Sequence, residues 1–416
     1  MTEPNSSSVQ DCLFFTKQPI LDTNRSIWGY ELLGGEVRQG ITQIFSQRAS
    51  VASLSSSTYV GLQEAMERGK KIMVGFDDAS ILSGVPHALP STGGVVRVMP
   101  SDMRSPGLDA ALQELRAEGY QTVIEYLPAK SLESNIWNET DILAFDLNAG
   151  VPDLVSLGLG NNGQAVLLAR GVKTLEQFHA AKDMGFALFQ GSFFKEPECV
   201  PDRQLGSNEV VRLNLLRLME TEDPDVKALA AAIRSDVSIS FRLLSYLNSA
   251  WFGLRHNIQS IDQAIMLLGW MKLKTWLRAV LIVDMAGKDE VPQELAALSL
   301  QRGKFFELLA TAYDYWGFNP STLFLMGLFS LMDGILGMPM DNVVELLPLD
   351  AKFKAALRHD ANNEYRPLFD LLECLEDGDW PTLEALTQKL FMDLDQVKMA
   401  FAQARDWAGG FFAGCG

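Results

Sequence analysis

Gln18-Pro-Ile-Leu-Asp-Thr-Asn-Arg-Ser-Ile-Trp-Gly-Tyr-Glu-Leu-Leu33 is the stretch whose reading decides the first half of this chain. Phe14, Phe15 and Ile20 precede a polar centre from Asp22 to Arg25, and Ile27, Trp28 and Tyr30 follow it. Apolar runs on both sides of such a turn predict a β-hairpin. Glu31 then falls at the end of the second strand, against Leu32 and Leu33. A carboxylate there must meet a cation, a donor or solvent in a pocket. An ordinary hairpin with one exposed glutamate is an equal reading of this stretch alone.

Working outward, short apolar runs recur at Lys71–Phe76, Val95–Val98, Thr122–Glu125, Ile142–Asp146, Ala165–Leu168 and Ala187–Phe189, with helical patterns between several of them. Continuous apolar strands separated by helices predict a parallel sheet covered on both faces. The number of strands favours a closed barrel, and no glycine-rich nucleotide loop supports a dinucleotide fold. Barrel chemistry sits at the carboxyl ends of strands. Glu31, Gly75, Glu125, Asp146 and Arg170 each fall at or just past such an end.

The pattern stops near Lys195–Gln204, with two prolines and mixed charges. Beyond it the periodicity is almost wholly helical. Val211, Leu215, Leu218 and Met219 are expected to share one face, as are Phe241, Leu244 and Leu247. Pro224 suits a first helical turn. The predicted division is a polar leader over 1–10, a barrel over 11–200, a linker over 201–207, helices over 208–410 and a tail over 411–416.

The length of 416 residues suits two or three domains. A formal charge of -17 opposes general nucleic-acid binding, which needs a basic face. That charge does not oppose a small anion met by a local cluster of cations. Cys12, Cys199, Cys374 and Cys415 are scattered, as for reduced cytoplasmic thiols. The apolar windows are too short or too interrupted to span a membrane, and the leader lacks the features of a signal peptide.

The hairpin with Glu31-Leu32-Leu33, together with Leu168-Ala-Arg-Gly-Val-Lys-Thr174, Gly185-Phe-Ala-Leu-Phe-Gln-Gly191 and Phe193-Phe-Lys-Glu-Pro197, resembles the EAL domain over about Phe14 to Pro197. EAL domains are bacterial signalling barrels that hydrolyse cyclic di-GMP with two divalent metals, magnesium or manganese. The resemblance puts Glu31 and Glu125 at metal-binding glutamates and Asp146 at a family aspartate. It also exposes departures. Gly75 stands in place of an asparagine ligand, Ala144 in place of the catalytic lysine, and the paired aspartates after Glu125 are missing. Arg170 and Lys173 replace late carboxylates. Asp77-Asp78 looks like a substitute, but as a helix cap before Ala79. Cations where carboxylates should hold metal imply lost hydrolysis and no metal or other cofactor. Gln18, Glu31, Arg170, Lys173 and Gln190 are the candidate ligand contacts. Arg170 and Lys173 could pair internally with Glu31 and Glu125, or bind an anion.

The second half, with Ser235-Asp-Val-Ser-Ile-Ser-Phe-Arg-Leu-Leu-Ser-Tyr-Leu-Asn-Ser249 and Ile261-Asp-Gln-Ala-Ile265 before Leu268-Gly269, is similar to the HDOD domain, an HD-related output module. Asp236 suits a helix cap, with Asn248 and Ser249 closing the far end. Ser330 and Leu331 stand where HD enzymes have their metal-binding pair, and His359-Asp360 lies in a later loop. Trp251, Phe252, Trp270, Trp276, Trp316 and Phe318 are expected mostly in the core, with some free for a partner. The chain is thus expected to be a TIM-like (β/α) EAL barrel followed by a helical HDOD domain. The expected role is a non-catalytic cytoplasmic signalling adaptor, sensing cyclic di-GMP or another phosphate ligand and acting through protein contacts of the helical domain. The alternatives are a weak cyclic di-GMP phosphodiesterase using Mg or Mn, and a purely structural protein.

Overall fold

The structure is a computed structural model, and it describes residues 15–34, 36–38, 41–43, 65–100, 105–127, 140–154, 157, 165–199, 203, 205–220, 230, 233–234, 236–248, 258, 260–313, 317–347, 349–360 and 362–415. The predicted hairpin is present as β1 (Phe15–Asp22) and β2 (Ile27–Gly34), with Gln18 opposite Glu31. Glu31 lies inside β2, not at its end. A small hairpin follows, β3 (Glu36–Arg38) and β4 (Ile41–Gln43). Then come β5 (Lys71–Phe76), β6 (Gly94–Val98), β7 (Gln121–Glu125), β8 (Ile142–Asp146), β9 (Val166–Arg170) and β10 (Leu188–Gln190).

Eight of these strands close a barrel in the order β1-β10-β9-β8-β7-β6-β5-β2. From β2 round to β10 the neighbours run parallel; β1 is antiparallel to both of its neighbours. Closure leaves no strand edge unpaired. Helices α1 (Asp78–Leu82), α2 (Leu108–Ala117) and α3 (Leu175–Asp183) lie between strands. Asp77 caps α1 by accepting from the Ser80 amide, the capping role expected of this pair.

Side chains alternate across each strand, so one set fills the barrel. Ile20, Met73, Val95, Val123, Ile142, Ala144, Leu168 and Leu188 form that dry interior. Two residues further along the same strands, toward the carboxyl ends of the parallel set, the inward positions turn polar.

The second half is helical: α4 (Ser207–Met219), α5 (Val237–Leu247), α6 (Ile261–Leu268), α7 (Trp270–Ala286), α8 (Glu290–Ala312), α9 (Pro320–Phe329), α10 (Met332–Leu336), α11 (Met340–Glu345), α12 (Ala351–Leu357), α13 (Arg366–Asp377), α14 (Trp380–Lys389) and α15 (Leu394–Cys415). Helices α8 and α9 pack backbone to backbone, because a Cβ on Gly303 or Gly327 would meet main-chain atoms of the other helix at 2.8 Å or less. One apolar core runs from Phe145, Phe178 and Phe193 of the barrel into Leu277, Phe305 and Phe324 of the helices.

Several expectations need correction. The buried face of α4 is Arg212, Leu213, Leu216 and Met219, while Val211 and Leu218 are exposed. In α5 Ile239, Leu243, Tyr246 and Leu247 are buried and Phe241 is 70% exposed. The periods were right and the phases wrong, since one apolar stripe does not say which way it faces. The helical half begins at Ser207, and α15 runs through 411–415, so these are not a separate tail. Phe411 is buried, 5.7 Å from the ring centre of Tyr246 and 6.4 Å from that of Trp276. The leader, Pro224, Ser249, Trp251, Phe252 and Trp316 lie outside the described residues.

Candidate functional site

The polar layer at the carboxyl ends of the strands consists of Gln18, Glu31, Arg97, Glu125, Arg170 and Gln190. Glu31 is completely buried. Arg97 Nε lies 2.7 Å from one of its oxygens, and Arg170 Nη2 lies 3.0 Å from the other. Gln190 Nε2 donates to that second oxygen at 2.6 Å. Burial alone would push the Glu31 carboxyl up, but Arg170, Arg97 and the Gln190 amide outweigh it and hold it below its ordinary value. The same Arg97 and Arg170 reach Glu125 at 3.3 and 3.2 Å. Arg170 Nε also donates to Gln190 Oε1 at 2.8 Å. Despite its burial Arg170 is held more firmly protonated than usual, by Glu31, Glu125 and Asp146. Two carboxylates and two guanidinium groups thus neutralise one another in a ring, with Gln190 bonded to both Glu31 and Arg170 and Gln18 bonded to Gln190.

Arg97 is the functional residue that the sequence reading passed over. It sits in a strand otherwise apolar and is buried in it, and an arginine in such a place must be paired. That was the available signal. Opposite it in register on β5 is Gly75: a Cβ there would lie 3.0 Å from Arg97 Nη2 and 2.8 Å from Met99 Sδ. The missing side chain at Gly75 is what makes room for the guanidinium.

Of the candidate contacts, Gln18, Glu31, Arg170 and Gln190 converge, and Glu125 joins them. Lys173 does not. Its side chain is exposed and makes no ion pair among the described residues, because Gly171 turns the chain with a φ of 72° just after β9. Asp146 stands opposite Arg170 in register and spends one oxygen on Asn148, accepting at 2.9 Å from its amide. Ala144 is buried among the apolar interior residues.

The donor set does not fit a pair of divalent metals. Both oxygens of Glu31 face guanidinium groups, and Glu125 is shared between the same two arginines. Among the described residues no group of three or more His, Cys, Asp or Glu could hold a metal ion.

The site is tied to the helices. Gln190 Nε2 also donates to Gln18 Oε1 at 3.0 Å, and Gln18 Nε2 donates to the Glu376 carbonyl at 3.0 Å, near the end of α13. The Glu376 carboxylate is gripped by Arg302 through two bonds of 2.7 Å, and by Lys195 at 2.7 Å. Burial would raise it, but Arg302 and Lys195 pull it down to about 2. Arg302 Nη1 donates to Ser330 Oγ at 3.0 Å, so Ser330 serves as a fixed acceptor for a buried cation. Leu331 beside it is buried. His359 packs edge-on against Phe369 at 5.0 Å. Asp236 caps α5 on the Ile239 amide, and the Asn248 side chain binds both backbone groups of Ile258.

The model of the HDOD domain matches residues 205–336. This stretch is an HDOD domain. The chain is 29% identical over 403 residues to the cyclic di-GMP phosphodiesterase CdgJ of Vibrio cholerae, covering 95% of this chain and 92% of that protein. It is 27% identical over 405 residues to the uncharacterized protein YuxH of Bacillus subtilis, covering 95% and 98%. Solved structures that match include Klebsiella pneumoniae BlrP1 with manganese and cyclic di-GMP, 13% identical with a TM-score of 0.34 over 45% of this chain and 56% of that one. Bacillus subtilis YkuI, which has an EAL domain and holds cyclic di-GMP and calcium, is 17% identical with a TM-score of 0.33 over 63% and 72%. The expected order, a closed barrel and then the HDOD domain, stands. The HDOD domain spans α4 to α10, and α11 to α15 extend it. Among the described residues no helix is long and apolar enough to cross a membrane.

Proposed function

We propose that this chain is a non-catalytic adaptor of the EAL-HDOD type in cyclic di-GMP signalling, acting in the cytoplasm through protein contacts of its helical half. The observation that carries this reading is the pair Arg97 and Arg170, seated between Glu31 and Glu125. Two fixed positive charges repel the divalent ions that phosphodiester hydrolysis in such a barrel requires, and they occupy both oxygens of Glu31 and one of Glu125. Without metal there is neither a polarised phosphate nor a hydroxide to attack it.

A second reading is favoured by one finding. The Vibrio relative, similar over nearly the whole chain, is named a cyclic di-GMP phosphodiesterase. On that reading Glu31, Glu125 and Asp146 would support weak turnover with Mg or Mn. Incubation of the full chain with cyclic di-GMP and either metal, followed by chromatography of the products, separates the two. The adaptor reading expects no product above a metal-free control; turnover abolished by Glu31→Ala would establish the enzyme.

A further inference from the structure

With the barrel mouth filled by its own charges, the notable open space lies elsewhere. A cavity of about 530 Å³ separates β1 and the end of the barrel from α7, α8, α13 and α15, a size usual for small-molecule sites. We propose that this cleft between the two halves binds a small phosphorylated anion of the nucleotide class. The proposal does not depend on whether the barrel hydrolyses anything.

Charge is the first argument. Seven lysine and arginine side chains line the cavity against four carboxylates, in a chain whose formal charge is -17. A concave wall enriched in one sign focuses potential on its ligand. Lys17 and Lys195 each hold a carboxylate across the cleft, Glu294 at 3.0 Å and Glu376 at 2.7 Å. Among the described residues Lys195 Nζ makes only the bond to Glu376, and an ammonium group has three donors to give. Arg242 pairs with Asp284, a residue that does not line the cavity. Lys288 makes no ion pair among the described residues. Shape is the second argument. Phe194, Leu298 and Phe401 give the cavity an apolar wall beside the cations, the combination that accepts a flat heterocycle and its phosphates together.

The position gives binding a consequence. Gln18 lines the cleft and is also the link between the barrel ring and the Glu376 carbonyl. An anion drawing on Lys195 competes with Glu376, the carboxylate that joins barrel to helices. Occupancy would therefore be felt at both ends of the chain.

The test is calorimetric titration of the full-length protein at low salt with GDP and, separately, with inorganic pyrophosphate. Saturable binding of GDP at one site is expected. It should weaken at least tenfold in Lys288→Glu and be lost in Ala297→Trp, which fills the cavity without altering its charge. Lys173→Glu, at the barrel surface, should leave the GDP affinity within twofold. Binding of pyrophosphate as tight as GDP would keep the phosphate site and assign the apolar wall no part. Thermal melting identifies a misfolded Ala297→Trp protein, and Lys288→Glu, an exposed change, then decides alone. Failure of the wild type to bind either probe overturns the proposal. So does GDP binding that Lys173→Glu weakens and the cavity variants do not.

Discussion

At the scale of single residues the barrel site is an exchange of charge. Where a metal-dependent barrel needs cations from solution, this chain supplies two of its own, and Gly75 gives up a side chain so that one of them fits. Arg170→Glu would leave three carboxylates together under cover. It is expected to destabilise the fold by about 3–5 kcal/mol, as when a buried ion pair loses one partner. Lys173→Glu, three residues away and exposed, should stay within about 0.5 kcal/mol. Urea unfolding of the two variants checks the contrast, and equal effects would remove the ring from the account of stability. Gly75→Ala tests the steric half of the argument. Its Cβ would crowd Arg97 Nη2 and Met99 Sδ, so a loss of about 1–3 kcal/mol is expected from overpacking.

At the scale of elements, α15 closes the helical half back onto itself and onto the barrel. Phe411 sits among Tyr246, Trp276 and Trp407, and Arg405 donates to the Phe15 carbonyl at the start of β1 at 2.8 Å. Phe411→Ala is expected to cost about 3–5 kcal/mol, as for truncation of a buried phenylalanine. Thermal denaturation would show the drop; a change below 1 kcal/mol would mean the end of α15 is loosely held. The sequence carried the glycines and aromatics of this segment but not their destination, because docking depends on a surface assembled from two other helices.

For the whole molecule, the apolar core shared by the two halves is flanked by polar, pH-sensitive contacts. Lys17 and Tyr30 meet Glu294, the Ile27 amide donates to Glu290, and Lys195 and Arg302 share Glu376. Glu376 is depressed in the fold from 4.5 to about 2, so its stabilisation is complete above pH 4.5 and drains away as pH falls toward 2. Asp333 behaves oppositely. Burial raises it from 3.8 to about 6, so ionising it costs folded-state stability, on the order of 3 kcal/mol. That cost disappears as pH falls from about 6 to 3.8. Burial also raises Glu373 and Asp377, which adds to the same limb. Denaturation midpoints across pH 2–7 should therefore rise on acidification to near pH 4 and then fall. Asp333→Asn should flatten the first limb, and a midpoint unchanged between pH 6 and 4 in the wild type would refute this assignment.

The chain's own pattern determined the local structure. Eight apolar runs of strand length became the eight barrel strands, the Asp22–Arg25 turn made its hairpin, and Asp77 and Asp236 capped their helices, because these outcomes depend on neighbours a few residues apart. Glu31, Glu125 and Arg170 were legible as strand-end residues that must converge in a barrel, and Gln18 and Gln190 only through the resemblance to the EAL domain. Only the tertiary structure decided that Arg97 completes the ring while Lys173 turns away, which faces of α4 and α5 are covered, and that Glu376 locks the halves together. Those outcomes rest on which side chain meets which across strands and helices far apart in the chain, and hydrophobic periodicity carries no record of the partner.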